Sequence, residues 1–191
     1  VLIEDYDINK IIYKTDIDNL YIIPANIQLA GAEIELTKTQ YREKTLLEKI
    51  HLIDKSFDFI IIDCPPSLGL LSLNALTASQ RVLIPIQCEY YSLEGVSQLM
   101  DTIKLVRKNL NPKLEIEGVV LNMFDGRTNL SVQVVEEVKK YFKDKVYRTV
   151  IPRSVRLAEA PSFGQPIMIY DKKSKGSEAY YSLSDEIIEN N

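Results

Sequence analysis

The chain has no tryptophan, one histidine, two cysteines and only seven glycines in 191 residues. Each shortage excludes something. The lone histidine, His51, sits on the apolar Leu46–Ile53 stretch and reads as structural, which removes most histidine-based hydrolase and metalloenzyme chemistry. Cys64 and Cys88 form no CxxC and are too few for a disulfide framework, which fits a reducing compartment and argues against a structural zinc or an iron–sulfur cluster. No apolar run approaches the ~18 residues of a membrane span, and no signal-peptide pattern is visible at the start. The glycine shortage has the largest consequence. Nothing matches GxxxxGK[ST] or GxGxxG, so no loop of the usual geometry cradles phosphates with backbone N–H groups.

In bulk, 46% hydrophobic and 26% charged residues place the chain among ordinary globular domains. The net charge of −4 speaks against a nucleic-acid partner until it is divided along the chain. Residues 126–175 hold 11 Lys/Arg against 5 Asp/Glu, whereas residues 1–125 hold 12 against 18. A basic third therefore follows an acidic body. It reads either as a solvated helical face around Lys139, Lys140, Lys143 and Lys145 or as a phosphate-binding surface.

Short β-branched runs alternate with stretches of helical period, which predicts an α/β fold. The expected strands are Leu20–Pro24, Phe59–Asp63, Val82–Gln87, Gly118–Met123 and Val146–Ile151. Helices are expected at Lys38–Ile53, Leu70–Ser79, Ser92–Asn109, Gln133–Phe142 and Ser177–Glu189. The Phe59-Ile-Ile-Ile run is apolar on both faces, as in a parallel strand covered by helices on each side. No repeat, low-complexity tract or linker divides the chain.

In parallel sheets ligands lie beyond the carboxyl ends of the strands, so the strand-end residues carry the information. Asp63 ends one strand and is followed by Cys64-Pro65-Pro66-Ser67; it fits a magnesium site beside a triphosphate, or a turn or helix cap. Gln87-Cys88-Glu89-Tyr90-Tyr91-Ser92 leads into a helix, with Ser92 readable as its N-cap. Asn122 could read an adenine edge through its amide or simply suit a turn. Pro152-Arg153 and, three residues on, Arg156 offer guanidinium groups that either grip phosphate or lie idle on the surface.

Read together, several stretches resemble the ParA/Soj partitioning ATPases of the deviant Walker A P-loop superfamily. They are Asn19-Leu-Tyr-Ile-Ile-Pro-Ala, Leu29-Ala-Gly-Ala-Glu-Ile-Glu-Leu, Ile60-Ile-Ile-Asp-Cys-Pro-Pro-Ser-Leu-Gly-Leu, Pro85-Ile-Gln-Cys-Glu-Tyr-Tyr-Ser-Leu-Glu-Gly, Asp125-Gly-Arg-Thr and Val150-Ile-Pro-Arg-Ser-Val-Arg-Leu-Ala-Glu-Ala-Pro-Ser. The resemblance implies a P-loop NTPase-like fold, a mostly parallel sheet with helices on both faces, as a single ParA-type domain over residues 1–191. Family members begin with a KGGxGKT loop and its strands, about a quarter of their length, so the chain is expected to correspond to the remaining three quarters and to expose apolar strand edges.

By carry-over, Asp63 is the Walker B aspartate at the magnesium site, acting through water, and Cys64, Pro65, Pro66 and Ser67 form the switch that responds to the γ-phosphate. Asn122, Pro152 and Arg153 flank adenine, and Arg127 and Arg156 bind DNA without sequence preference. The implied activity is ATP hydrolysis with magnesium in an ATP-dependent homodimer on duplex DNA. The implied partner is a ParB/Spo0J-like centromere-binding protein, the implied location is cytoplasmic and nucleoid-associated, and sporulation control is an attached role. The chain alone is expected to hydrolyse no ATP. A non-catalytic DNA-binding paralogue is an alternative. A MinD-like membrane ATPase is another, although the last sixteen residues hold four acids and no Lys or Arg.

Overall fold

The computed structural model describes residues 1–4, 6–65, 67–89 and 92–190, with the backbone alone for residues 92–94. The backbone forms two compact units, one of Val1–Gln80 with Asp101–Leu114 and the other of Arg81–Met100 with Glu115–Asn191.

In the first unit, β1 (Tyr13–Lys14) and β2 (Tyr21–Ile22) make an antiparallel ribbon that pairs Tyr13 with Ile22 and Lys14 with Tyr21. Asn19 turns the chain between them at φ 61°, a conformation asparagine tolerates. The expected strand at Leu20–Pro24 is thus cut to two residues and is antiparallel. Three helices follow, α1 (Leu29–Leu36), α2 (Thr45–Ile50) and α3 (Leu70–Ala78). The helix expected from Lys38 starts only at Thr45, because residues 38–44 form turns that include Tyr41 at φ 56°.

Helix α3 buries Ser72, Asn74, Ala75, Leu76, Thr77 and Ala78, so its polar groups need partners inside the protein. Asn74 Nδ2 donates to the carbonyls of Arg42 (2.8 Å) and Leu70 (2.9 Å), and its Oδ1 accepts from Leu46 N at 3.0 Å. At the other end Asn111 Nδ2 reaches the carbonyls of Leu76, Thr77 and Ser79 at 3.0, 3.2 and 2.7 Å. It closes a helix end whose last carbonyls lack intrahelical donors.

Phe59–Asp63, expected as a buried parallel strand, is not one. It pairs with no segment among the described residues, and Ile60 and Ile61 are 52% and 90% exposed. An apolar run becomes a central strand only where neighbours accept its backbone hydrogen bonds and cover its faces. The ladder of this unit is β1–β2, which does not include it.

The second unit holds β3 (Arg81–Gln87), β4 (Glu115–Phe124) and β5 (Val146–Pro152), parallel in the order β3-β4-β5. Helix α4 (Ser92–Asn109) links β3 to β4, matching the predicted boundaries, and its residues to Met100 belong to this unit. Helix α5 (Asn129–Phe142) links β4 to β5; it starts earlier than predicted because Thr128 Oγ1 caps it by accepting from Ser131 N. Register pairs Ile86 with Leu121 and Gln87 with Asn122, then Leu121 with Val150 and Phe124 with Pro152. Gly118 is required by close approach, since a Cβ there would lie 2.4 Å from the Tyr147 ring.

Short helices α6 (Val155–Glu159) and α7 (Ile167–Tyr170) precede the long α8 (Lys175–Glu189). Val120, Tyr147, Ile151 and Leu183 form a buried cluster that joins the sheet to α8. The Glu186 carboxylate on α8 accepts from Arg148 N (3.0 Å) and Thr149 N (2.8 Å), occupying backbone donors of β5. The fold is α/β with a parallel sheet flanked by helices, as the sequence predicts.

Candidate functional site

The carboxyl end of the second unit's sheet gathers Asn122, Pro152 and Arg153. The Asn122 carbonyl accepts from Cys88 N at 2.9 Å, and the Phe124 carbonyl accepts from Arg153 N at 2.9 Å, so the three strand ends are tied across. Asn122 Oδ1 accepts from Met123 N at 2.8 Å, and Met123 itself is at φ 54°. A left-handed conformation at a side-chain-bearing residue costs roughly 1–2 kcal/mol. Here it kinks β4 where the β4–β5 register shifts, between Leu121 and Phe124. The Asn122 amide oxygen is therefore engaged by its own neighbour.

Arg127 lies just beyond, in the turn between β4 and α5. The Asp125 carboxylate holds it: Oδ1 accepts from Arg127 N (3.1 Å) and Nε (2.9 Å), and Oδ2 accepts from Nη2 (2.6 Å). The Arg127 side chain is 88% exposed and that of Asp125 only 18%. The guanidinium hydrogen bond, reinforced by the Arg127 backbone bond and the charges of Arg127 and Arg153, holds the Asp125 carboxyl at about 2. Arg156 on α6 faces two carboxylates, with Nη1 3.2 Å from Glu159 and Nε 3.5 Å from Asp171. Arg153 Nη1 lies 3.6 Å from Glu89. Sequence reasoning singled out the arginines and not these carboxylate pairings; the short Asp125–Arg127 and Arg156–Glu159 spacings were the available signals, since Glu89 and Asp171 are remote in sequence from their partners.

The basic third does not form one face. Lys139, Lys140, Lys143 and Lys145 are exposed at the far end of α5, a helix of 14 residues and hence roughly 20 Å long, beside the amino end of β5. Arg127, Arg153 and Arg156 are at the carboxyl end, and exposed Lys172, Lys173 and Lys175 open α8 beyond Asp171. The count along the sequence merged two patches.

In the first unit Asp63 borders a cleft of about 860 Å³, lined mostly by apolar residues such as Ile22, Phe59, Ile60 and Leu71, and is the only acid among the described residues there. It is exposed and makes no hydrogen bond or ion pair with the described residues. No group of three His, Cys, Asp or Glu side chains converges among the described residues. A single free carboxylate is what magnesium uses when most of its shell is water and phosphate, so Asp63 fits that ion as a second-layer anchor.

Cys64, Pro65 and Ser67 of the expected switch are exposed, while Pro66 lies outside the described residues. Loss of water around the sulfur, with the Asp63 charge added, pushes the Cys64 thiol up, away from a reactive thiolate. Downstream, Glu33 Oε1 accepts from Leu71 N at 3.2 Å, placing a carboxylate on the amino end of α3. Gly69 leaves room for it, since a Cβ at that position would meet the Glu33 carboxylate. His51 ends α2 and is exposed rather than packed.

Residues 1–116 match a family described as an AAA domain. Across 190 residues the chain is 60% identical to the sporulation initiation inhibitor protein Soj of Bacillus subtilis, covering 100% of this chain and 75% of that protein. The chain belongs to the Soj/ParA family. A second Soj/ParA relative, the chromosome partitioning protein ParA of Myxococcus xanthus, is 52% identical over 187 residues, covering 98% of this chain and 66% of that one. Among solved structures, cobyrinic acid a,c-diamide synthase from Mycobacterium smegmatis with bound ADP and magnesium superposes with a TM-score of 0.82 at 36% identity, covering 98% of this chain and 69% of that one. The Soj/ParA chain thus spans two thirds to three quarters of these proteins. Among its described residues no helix is long and apolar enough to cross a membrane.

Proposed function

We propose that residues 1–191 act as one ParA-type domain of a chromosome-partitioning ATPase, an ATP-dependent homodimer on duplex DNA that is released through a ParB/Spo0J-like partner. The observation that carries this reading is the 60% identity along the whole chain to a Soj protein. Asp63 anchors magnesium through water; the ion, when bound, neutralises charge on the nucleotide phosphates. Cys64, Pro65, Pro66 and Ser67 follow it directly and are the segment that responds to the γ-phosphate. Asn122 offers its amide N–H to the adenine, and Pro152 and Arg153 border that edge. Arg127 and Arg156 contact phosphates of nucleoid DNA, which needs no base readout and gives affinity that falls with salt.

The test is binding of the full chain to labelled duplex DNA across a salt series. Arg127→Ala and Arg156→Ala should each weaken binding and flatten the salt slope. If both bind as the wild type does, the DNA assignment falls. ATP turnover is a separate measurement. These residues contain no phosphate-cradling glycine loop, so the chain alone should hydrolyse no ATP. Turnover abolished by Asp63→Ala would overturn that expectation.

A further inference from the structure

The two arginines proposed above as DNA contacts, and Arg153 beside them, are not free cations. Arg127, Arg153 and Arg156 face Asp125, Glu89, Glu159 and Asp171, three guanidinium groups against four carboxylates. By contrast Lys172, Lys173 and Lys175, at the same end of the unit, are exposed and have no ion pair among the described residues. Affinity for nucleic-acid phosphate comes from cationic charge that the protein has not already compensated. The part of this surface richest in arginine therefore offers the least such charge.

The tightest of these pairs is at Arg127. Asp125 takes Nε and Nη2 from the side, in the paired geometry that also suits phosphate. The carboxylate cannot swing away cheaply, because Arg127 N is bonded to the same oxygen that receives Nε. It is also well screened from water while the guanidinium is open to it. With its carboxyl held at about 2, Asp125 keeps its charge at every working pH.

We propose that Asp125 is a built-in competitor for Arg127, a carboxylate that neutralises the guanidinium and occupies half of its donor fork, so that DNA phosphate binds against an existing ion pair. This rests on the reading of Arg127 as a DNA contact. Arg127 then adds to binding only where a phosphate meets its remaining N–H donors or displaces Asp125, while the unpaired lysines at the start of α8 supply the uncompensated charge. Removing the Asp125 charge converts Arg127 into a full contact.

The experiment measures anisotropy of a labelled duplex with the full chain from low to physiological salt, for the wild type, Asp125→Asn, Arg127→Ala and the double variant. Asp125→Asn keeps an oxygen for the turn bond to Arg127 N and removes the charge. It should tighten binding about three- to tenfold at low salt and steepen the salt slope by about 0.9. The double variant should match Arg127→Ala. If Asp125→Asn does not fold, Asp125→Ser retains a turn-forming oxygen and answers the same question. Asp125→Asn binding no tighter than the wild type, while Arg127→Ala binds more weakly, overturns the competitor and leaves the DNA reading standing. A gain from Asp125→Asn that persists without Arg127 overturns it as a mere change of net charge. Arg127→Ala binding as the wild type does overturns the DNA role of Arg127 and the competitor with it.

Discussion

In the second unit β4 runs between two hydrogen-bonded neighbours, and Gly118, Val119, Val120 and Leu121 along its middle are all buried. In the first unit Phe59–Ile62, just as apolar and as β-branched, has no ladder partner among the described residues and leaves Ile61 90% exposed. Composition cannot account for the difference. A parallel strand acquires its burial from the strands and helices beside it, so the same run of isoleucines and valines is core in one place and open edge in another. The consequence is uneven stability, because segments with few buried contacts open locally at low free-energy cost.

The largest test of that contrast is a pair of truncations. Leu121, fully buried, should cost about 2–5 kcal/mol as Leu121→Ala, since a cavity is left in a packed sheet. Ile61→Ala should stay within about 0.5 kcal/mol, as for a surface substitution. Denaturant titration with a common slope reads both. A large loss from Ile61→Ala, growing with protein concentration, would show instead that chains cover this edge by pairing with one another.

A smaller effect separates α3, held by polar side chains, from the sheet of the second unit. Asn111→Ala leaves the carbonyls of Leu76, Thr77 and Ser79 without the amide that now serves them. The expected cost is about 1–3 kcal/mol, the penalty for stranding buried acceptors. Hydrogen exchange should speed up at the last amides of α3 and leave those of β3–β5 unchanged. Equal acceleration in both units would mean that they open as one.

These two cases also mark how far the sequence could be read. The strands β3, β4 and β5 and helices α4 and α8 were legible from period and run length, because the neighbours those patterns call for are present in their unit. Phe59–Asp63 carried the same signal, and its outcome depended on neighbours that no local pattern reveals. Asp63, Asn122, Arg127, Arg153 and Arg156 could be named from strand ends and resemblance. What surrounds them could not: Glu33 reaches α3 from α1, Glu89 reaches Arg153 from the end of β3, and Asp171 reaches Arg156 from beyond α7. The oxygen of Asn122 was spent on its own neighbour through a backbone turn at Met123, which has no sequence signature.

The smallest expected effect uses one tyrosine from each unit. Tyr147 is buried under α8, and its hydroxyl donates to Glu117 at 3.0 Å, while Arg81 holds the other Glu117 oxygen at 2.8 Å. Burial first, and the Glu117 bond and charge second, push the Tyr147 hydroxyl up to about 12. Tyr21 in the first unit is moved the other way by the Lys55 ammonium, which sits 3.4 Å above its ring. For Tyr147 the folded state keeps the proton longer than the unfolded chain does. Its contribution to stability is therefore complete below pH 10 and is lost as the pH rises from 10 towards 12. Tyrosinate absorbance should show Tyr21 ionising ahead of the bulk and Tyr147 behind it. Tyr147→Phe should remove the late step, cost about 1 kcal/mol at neutral pH for the lost hydrogen bond, and flatten the fall in stability between pH 10 and 12. Tyr21→Phe should remove the early step. If the wild type shows no late step, the burial of β5 beneath α8 does not hold in solution, and the contrast between a closed unit and an open one loses its strongest side.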